Sequence, residues 1–183
     1  MYVSPFMHPI SIPLTLHAQV NESTHDTSVV LSSMTSCLVA RVGPHSDILS
    51  LSSSSTVPVI NALSDLHHPL QALADILTIK EFFPSHFAEP QGSQGPIKLA
   101  WIGDANNVLH DLMIACAKSG ITVSIATPKA YPVNPDILGV AQRAAEEFGN
   151  GAVVKVCKGG PEEAVKDADV IVTDTWYVRS PTF

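Results

Sequence analysis

The stretch from Ile97 to Thr127, IKLAWIGDANNVLHDLMIACAKSGITVSIAT, limits the possible folds more than any other part of the chain. A short apolar run, Ile97 to Ile102, is broken by the polar segment GDANN, after which apolar residues recur at helical spacing. Gly120 is a helix stop, and Ile121 to Ala126 is a second apolar run. Strand, helix and strand within about thirty residues form the βαβ unit of a parallel sheet.

The same alternation continues downstream. The pattern predicts helices from about Pro135 to Phe148 and from Pro161 to Lys166, with strands Ala152 to Cys157 and Asp169 to Thr173. This succession predicts an α/β fold with a doubly wound, Rossmann-like parallel sheet. Because ligands bind at the carboxyl ends of strands in such sheets, the GDANN loop is the first candidate site.

The upstream half has weaker patterns. Residues 1–19 hold three prolines without a clear period, which predicts an irregular arm. Four elements are expected next: a helix Thr24 to Ser36, a strand Cys37 to Val42, a helix His45 to Ser52 and a strand Val57 to Ile60. The apolar members of the first helix are Val29, Val30, Leu31 and Met34.

A long helix is predicted to begin at Pro69, since the missing N–H of proline costs nothing in the first turn, and to end near Phe83. Its expected buried stripe is Leu70, Leu73, Ala74, Ile76 and Leu77. Residues 84–96, rich in Pro, Gly, Ser and Gln, are predicted to be a loop and a domain boundary.

Composition excludes several classes of function. The 183 residues are 45% hydrophobic, enough for an ordinary core, and carry a net charge of −7 with no basic run, which argues against nucleic acid as a partner. No apolar run approaches the ~20 residues of a membrane span. Three cysteines without CxxC spacing indicate reduced core residues of an intracellular protein rather than a zinc site. No Lys or Arg precedes Arg41, which argues against a secretory signal or an Arg-rich presequence.

The cluster His68-Pro69-Leu70-Gln71 is a candidate site with two interpretations. If Pro69 is the first helical residue, His68 is the cap and Gln71 lies one turn on, so both side chains face the helix N-terminus. Such a terminus disfavours imidazolium, and a neutral His68 could donate to a carbonyl oxygen. The alternative is a simple His-Pro helix start with a solvated pair, His67 and His68.

The GDANN loop lacks the glycines of GxGxxG, which argues against a dinucleotide-binding module. Asn106 is expected to cap the following helix, which leaves Asn107 free to reach a ligand. Asp174, at the end of VIVTDT, could pair with an amine in a cleft or could be a loop or cap residue.

Other polar and aromatic residues receive more ordinary interpretations. Arg41 ends an apolar strand, where it could form a surface salt bridge or bind phosphate through its fork. His110 is expected on the helix surface, and Cys116 and Trp101 in the core. The sequence shows no nucleophile–base pair and no metal-ligand spacing.

Four stretches carry a resemblance: VNESTHDTSVVLSSMTSCLVARVGPHSD, PVINALSDLHHPLQALADILTIKE, KLAWIGDANNVLHDLMIACAKSGITVSIATPKAY and VIVTDTW. In order and spacing they resemble the ornithine branch of the aspartate/ornithine carbamoyltransferase family, in its fungal or animal form. HPxQ is shared with the aspartate branch. The combination of WIGDxNNVLH, ATPKxY and TDTW points to the ornithine branch.

The resemblance implies transfer of a carbamoyl group from carbamoyl phosphate to the δ-amine of ornithine, giving citrulline and phosphate, in arginine biosynthesis or the urea cycle. It implies no metal and no redox cofactor. By resemblance, Arg41, His68 and Gln71 are the catalytic residues that bind carbamoyl phosphate. By the same resemblance, Asn107 binds ornithine and Asp174 takes its α-amino group.

The resemblance also implies an organisation. Residues 20–83 would be the end of a carbamoyl-phosphate-binding domain with an interdomain helix, residues 84–96 a loop, and residues 97–183 an incomplete ornithine-binding domain. Family members are homotrimers, and fungal and animal members work in the mitochondrial matrix. With no presequence visible here, a cytoplasmic location stays open.

Two departures from the family pattern stand out. Nothing in residues 1–19 resembles the Ser-Thr-Arg-Thr phosphate loop, and the His-Cys-Leu-Pro segment is absent. The expectation is a truncated member, a partial two-domain enzyme. The alternative to an active enzyme is an inactive fragment that keeps only ornithine binding or subunit association.

Overall fold

The computed structural model describes residues 23–88, 95–148 and 151–174. The chain divides into two compact units, residues 1–60 and 61–183. The irregular arm predicted for residues 1–19 lies outside the described residues, and the predicted domain boundary at residues 84–96 stays a prediction.

The first unit begins with helix α1 (Thr24–Met34), strand β1 (Leu38–Arg41) and helix α2 (His45–Ser54). Strand β2 (Val59–Leu63) pairs with β1 and leads into the second unit. Among the described residues of the first unit, one buried apolar cluster consists of Ala40, Val42, Ile48 and Leu51.

The buried face of α1 is not the one that carries most of its apolar residues. Val29, Val30 and Met34 are 44%, 53% and 70% exposed, whereas Ser28 and Ser32 are buried. The Ser28 hydroxyl donates to the Leu51 carbonyl at 2.7 Å. A small side chain lets α1 approach α2 closely, and its hydroxyl finds a partner there, so the face with the serines is buried.

The second unit contains the longer elements. Two helices come first, α3 (Pro69–Phe82) and α4 (Pro84–Ala88). An alternating succession follows: β3 (Lys98–Ile102), α5 (Asn107–Lys118), β4 (Thr122–Ala126), α6 (Pro135–Phe148), β5 (Val154–Val156), α7 (Pro161–Ala164) and β6 (Val170–Thr173). The short helix α4 corrects the prediction of a loop from residue 84. The bounds of the predicted elements differ by at most three residues from those observed.

These strands form a four-stranded parallel sheet in the order β5-β4-β3-β6. The chain moves outward from β3 through β4 to β5, and then returns to the other side of β3 with β6. Trp101 is in register with Ile125 of β4 and with Val172 of β6. The predicted doubly wound parallel sheet is confirmed, and its topological switch point lies between β3 and β6.

Strand β3 is buried on both faces. Leu99 and Trp101 belong to the large core beneath α5 and α6, whereas Ala100 and Ile102 pack in a second cluster with Ala164 of α7. A continuous buried run is typical of a central parallel strand.

The buried stripe predicted for α3 is largely wrong. Leu70, Leu73 and Leu77 are 40%, 63% and 55% exposed, and Ala74 is exposed too. The side that packs against the core carries Ala72, Ile76 and Ile79. Because α3 has apolar residues on two sides, periodicity did not determine which side is buried.

No helix within the described ranges is both long and apolar enough to cross a membrane.

Leu112 of α5 is fully buried in the large core, and its truncation tests that core. Leu112→Ala should lower the free energy of unfolding by about 2–5 kcal/mol, because the cavity adds to the lost transfer free energy. The matched control is Leu73→Ala at an exposed position of α3, with an expected change within about 0.5 kcal/mol. Urea unfolding of both variants measures the difference, and equal losses would contradict this description of the core.

Candidate functional site

Polar residues gather where β3 and β6 end, at the switch point of the sheet. Gly103 follows β3 with φ +151°, a conformation that residues with a side chain rarely adopt. A Cβ on Gly103 would lie 4.0 Å from the backbone nitrogen of Asp174, just after β6. The glycine therefore turns the chain out of the sheet close to the end of the neighbouring strand.

The side chain of Asn106 joins two elements at this edge. Its Oδ1 accepts hydrogen bonds from the backbone nitrogens of Val108 (3.1 Å) and Leu109 (3.2 Å), which caps α5. Its Nδ2 donates to Oδ2 of Asp174 at 2.6 Å. The predicted cap is confirmed, and the same amide places the Asp174 carboxylate beside the N-terminus of α5.

Asn107 has a partner that the sequence did not indicate. Its Nδ2 donates to the carbonyl oxygen of Ser64 at 2.6 Å, so the expectation of a side chain free for a ligand is corrected. The reason is that the loop before α3 lies against the first turn of α5.

His110 is buried, at 8% exposure, and not on the helix surface as predicted. Its Nδ1 lies 3.0 Å from the carbonyl oxygen of Leu66, which makes that nitrogen the donor. His110 is three residues after Asn107, so both face the same loop.

Asp111 was not singled out from the sequence. One carboxylate oxygen lies 2.6 Å from Nδ1 of His67, and the other accepts a hydrogen bond of 2.6 Å from the backbone nitrogen of His68. Its position four residues after Asn107 on the same helical face was the available signal, but nothing in the sequence identified the loop as its partner.

The HPxQ cluster has the predicted helix geometry. Pro69 is the first residue of α3, and His68 is at the cap position without a side-chain cap bond. Both His67 and His68 are half-buried, and His67 contacts Asp111, so the alternative of a solvated pair is wrong. Gln71 is half-buried, and its Nε2 donates to Oδ1 of Asp75 at 2.8 Å.

Contacts within the second unit thus connect His68, Asn107 and Asp174. His68 is linked to α5 through Asp111, Asn107 begins α5, and Asp174 is linked to it through Asn106. Arg41 is exposed at the end of β1 in the first unit.

Two further predictions concern the interior. Trp101 and Cys116 are fully buried, which confirms both as core residues. Burial raises the pKa of the Cys116 thiol, and the nearby Asp75 carboxylate adds to the effect, so the nucleophilic thiolate is scarce at neutral pH. Across residues 23–88, 95–148 and 151–174, no group of three His, Cys, Asp or Glu side chains could hold a metal ion.

Comparison with known families gives two consecutive matches. Residues 6–81 match the carbamoyl-P binding domain of aspartate/ornithine carbamoyltransferase, and residues 96–180 match the Asp/Orn binding domain of the same family.

Individual relatives are similar over most of this chain. It is 57% identical over 166 residues to the mitochondrial ornithine carbamoyltransferase of Coccidioides immitis, covering 86% of this chain and 46% of the relative. It is 54% identical over 157 residues to the mitochondrial ornithine carbamoyltransferase of Schizosaccharomyces pombe, covering 86% and 45%.

Solved structures of ornithine carbamoyltransferases are also similar to this chain. The crystal structure of the Coccidioides immitis enzyme has a TM-score of 0.76 at 56% identity, covering 87% of this chain and 49% of that one. The ornithine carbamoyltransferase from Pyrococcus furiosus has a TM-score of 0.78 at 41% identity, covering 89% and 49%. This chain spans about half the length of the curated relatives that it matches.

The doubly wound sheet with polar residues at its switch point defines a ligand-binding α/β fold. With both family matches in order along it, the chain belongs to the aspartate/ornithine carbamoyltransferase family, a family of enzymes. The resemblance carried by the four sequence stretches is confirmed.

Asn106 has two roles, the cap of α5 and the donor to Asp174, and substitution can separate them. Asn106→Asp keeps an oxygen that caps α5 but removes the donor to Asp174 and places two carboxylates side by side. We expect a loss of about 1–3 kcal/mol in the free energy of unfolding at neutral pH, because the half-buried Asp174 carboxylate loses this hydrogen bond and gains a like charge beside it. Urea unfolding measures it.

The matched control is the double variant Asn106→Asp/Asp174→Asn, in which donor and acceptor exchange places. It should recover most of the loss. A double variant as unstable as the single one would show that the bond between residues 106 and 174 contributes nothing.

Proposed function

We propose that this chain carries the function of an ornithine carbamoyltransferase, the transfer of the carbamoyl group of carbamoyl phosphate to ornithine. The observation that carries the proposal is the ordered match to both domains of the family, at 57% and 54% identity to relatives named for this activity. The names of those relatives also support a mitochondrial location.

His68 is the proposed donor to the carbonyl oxygen of the carbamoyl group. It is the cap residue of α3, where the positive end of the helix dipole favours an anionic substrate. In the part of the chain that the structure describes, the buried Nδ1 of His68 has no hydrogen-bond partner. A donor aimed where negative charge develops stabilises a tetrahedral intermediate.

Gln71 and Arg41 are the other two residues proposed to bind carbamoyl phosphate. The Gln71 amide nitrogen carries two hydrogens, of which the bond to Asp75 uses one, so a second remains for substrate. The exposed guanidinium of Arg41 suits a phosphate oxygen pair, and the family resemblance supports this role.

Asp174 and Asn107 form the proposed ornithine side. A carboxylate offers about four lone-pair sites, so the bond from Asn106 is compatible with a bond from the α-ammonium group of ornithine. Asn107 keeps a second amide hydrogen beyond the one that binds Ser64. Holding both substrates at one edge of the sheet accelerates transfer largely through proximity.

The test is citrulline formation by the purified chain from ornithine and carbamoyl phosphate, with aspartate as a competing acceptor. We expect citrulline, no carbamoyl-aspartate, and a loss of about 10²–10³ in kcat for His68→Ala, since an oxyanion donor is removed. His25→Ala, at an exposed position of α1, is the matched control, and its kcat should equal that of the unsubstituted chain.

Other outcomes would contradict the proposal in distinct ways. Carbamoyl-aspartate as the product would assign the chain to the aspartate branch. Absence of turnover with ornithine binding retained would support the alternative, a chain that binds ornithine without catalysis. Assembly as a homotrimer is part of the same proposal, from family resemblance, and sedimentation velocity measures it.

A further inference from the structure

One face of α5 holds the loop that leads into the HPxQ helix. Three side chains at positions i, i+3 and i+4, Asn107, His110 and Asp111, form hydrogen bonds to Ser64, Leu66, His67 and His68. The bonds of Asn107 and His110 end on main-chain carbonyls, and only those of Asp111 reach the two histidines.

The loop is also closed on itself. The Ser64 nitrogen donates to the His67 carbonyl at 2.8 Å, and the His67 nitrogen donates to the Ser64 hydroxyl oxygen at 3.1 Å. Because these two bonds hold the turn from Ser64 to His67 together, the bonds from α5 to the turn also determine the position of His68, which follows it.

We propose that Asp111 is a positioning residue that sets the orientation of His68. This inference rests on the proposed function for its catalytic meaning. The Asp111 carboxylate is 13% exposed and uses one oxygen for His67 and the other for the His68 nitrogen, so its plane is fixed from two sides. His67 is the second member of this bridge, because without its ring the carboxylate could rotate away from the main chain.

The position of the bridge formed by His67, Asp111 and the His68 nitrogen explains how it would affect catalysis. The nitrogen that Asp111 accepts from belongs to the cap residue of α3, and the next turn of that helix carries Gln71. A carboxylate beside a helix N-terminus is also favoured by the helix dipole. Asp111 therefore acts on His68, and through the first turn of α3 on Gln71, without being one of the proposed carbamoyl-binding residues.

The first readout needs no activity: the backbone amide of His68, measured by NMR and hydrogen exchange in the ¹⁵N-labelled chain. A short bond to a carboxylate should shift this amide proton downfield and protect it from exchange. Asp111→Ala should abolish both signatures, and the isosteric Asp111→Asn should keep part of them, since an amide oxygen still accepts one bond. Asp136→Asn, at an exposed carboxylate of α6, is the matched control and should change neither.

The second readout is kinetic. Asp111→Asn and His67→Ala should each lower kcat/KM for carbamoyl phosphate by about 10- to 100-fold, since small misplacements of a catalytic group cost that much, while KM for ornithine stays unchanged. Combining the two substitutions should cost little more than either alone, because they remove the same bridge.

The outcomes separate this inference from the proposed function. An unchanged His68 amide in folded Asp111→Asn overturns the positioning role, and so does a changed amide with unchanged kinetics. A wild-type chain that makes no citrulline overturns the proposed function, and the amide comparison then decides the positioning role by itself. If Asp111→Ala does not fold, the same amide and kinetic measurements on Asp111→Asn and His67→Ala provide the test.

Discussion

The burial of strand β3 on both faces is the constraint on which the rest of the second unit depends. Leu99 and Trp101 must be buried by packing on one face of the sheet, and Ala100 and Ile102 on the other face. Helices must therefore pack on both faces, and the chain can supply them only by winding outward through β4 and β5 and returning beside β3. That return creates the switch point, and the switch point brings Asp174 to the start of α5.

Helix α5 serves the core and the site with different faces. Leu109, Leu112, Met113 and Cys116 are fully buried in the core. Asn107, His110 and Asp111 face the loop before α3. Because one rigid element carries both sets, the proposed carbamoyl-binding helix is aligned by the same packing that stabilises the sheet.

The sequence predicted those features that depend on local chemistry. The succession of strands and helices follows from apolar periodicity, and the capping role of Asn106 follows from its position before a helix. The buried faces of α1 and α3 did not follow. The buried side of α1 carries serines, and α3 has apolar residues on two sides, so in each helix the buried side depends on a partner that is distant in sequence.

The same distinction applies to the site. The sequence predicts the positions of His68 and Pro69 because a proline before a helical pattern marks the first residue of the helix, and the residue before it is then the cap. Asp111 was missed, and the partner of Asn107 with it, because their bonds join residues about forty positions apart. Hydrogen bonds of that kind leave no periodic trace in a single sequence.

The amide of Asn106 has a further consequence. Its oxygen accepts from the first turn of α5 and its nitrogen donates to Asp174, so one planar group joins a helix to a strand end. A displacement of the Asp174 carboxylate that kept this bond would turn the plane of the amide and weaken the cap at Val108 and Leu109. Through one amide, the geometry of the strand end is thus linked to the order of the first turn of α5.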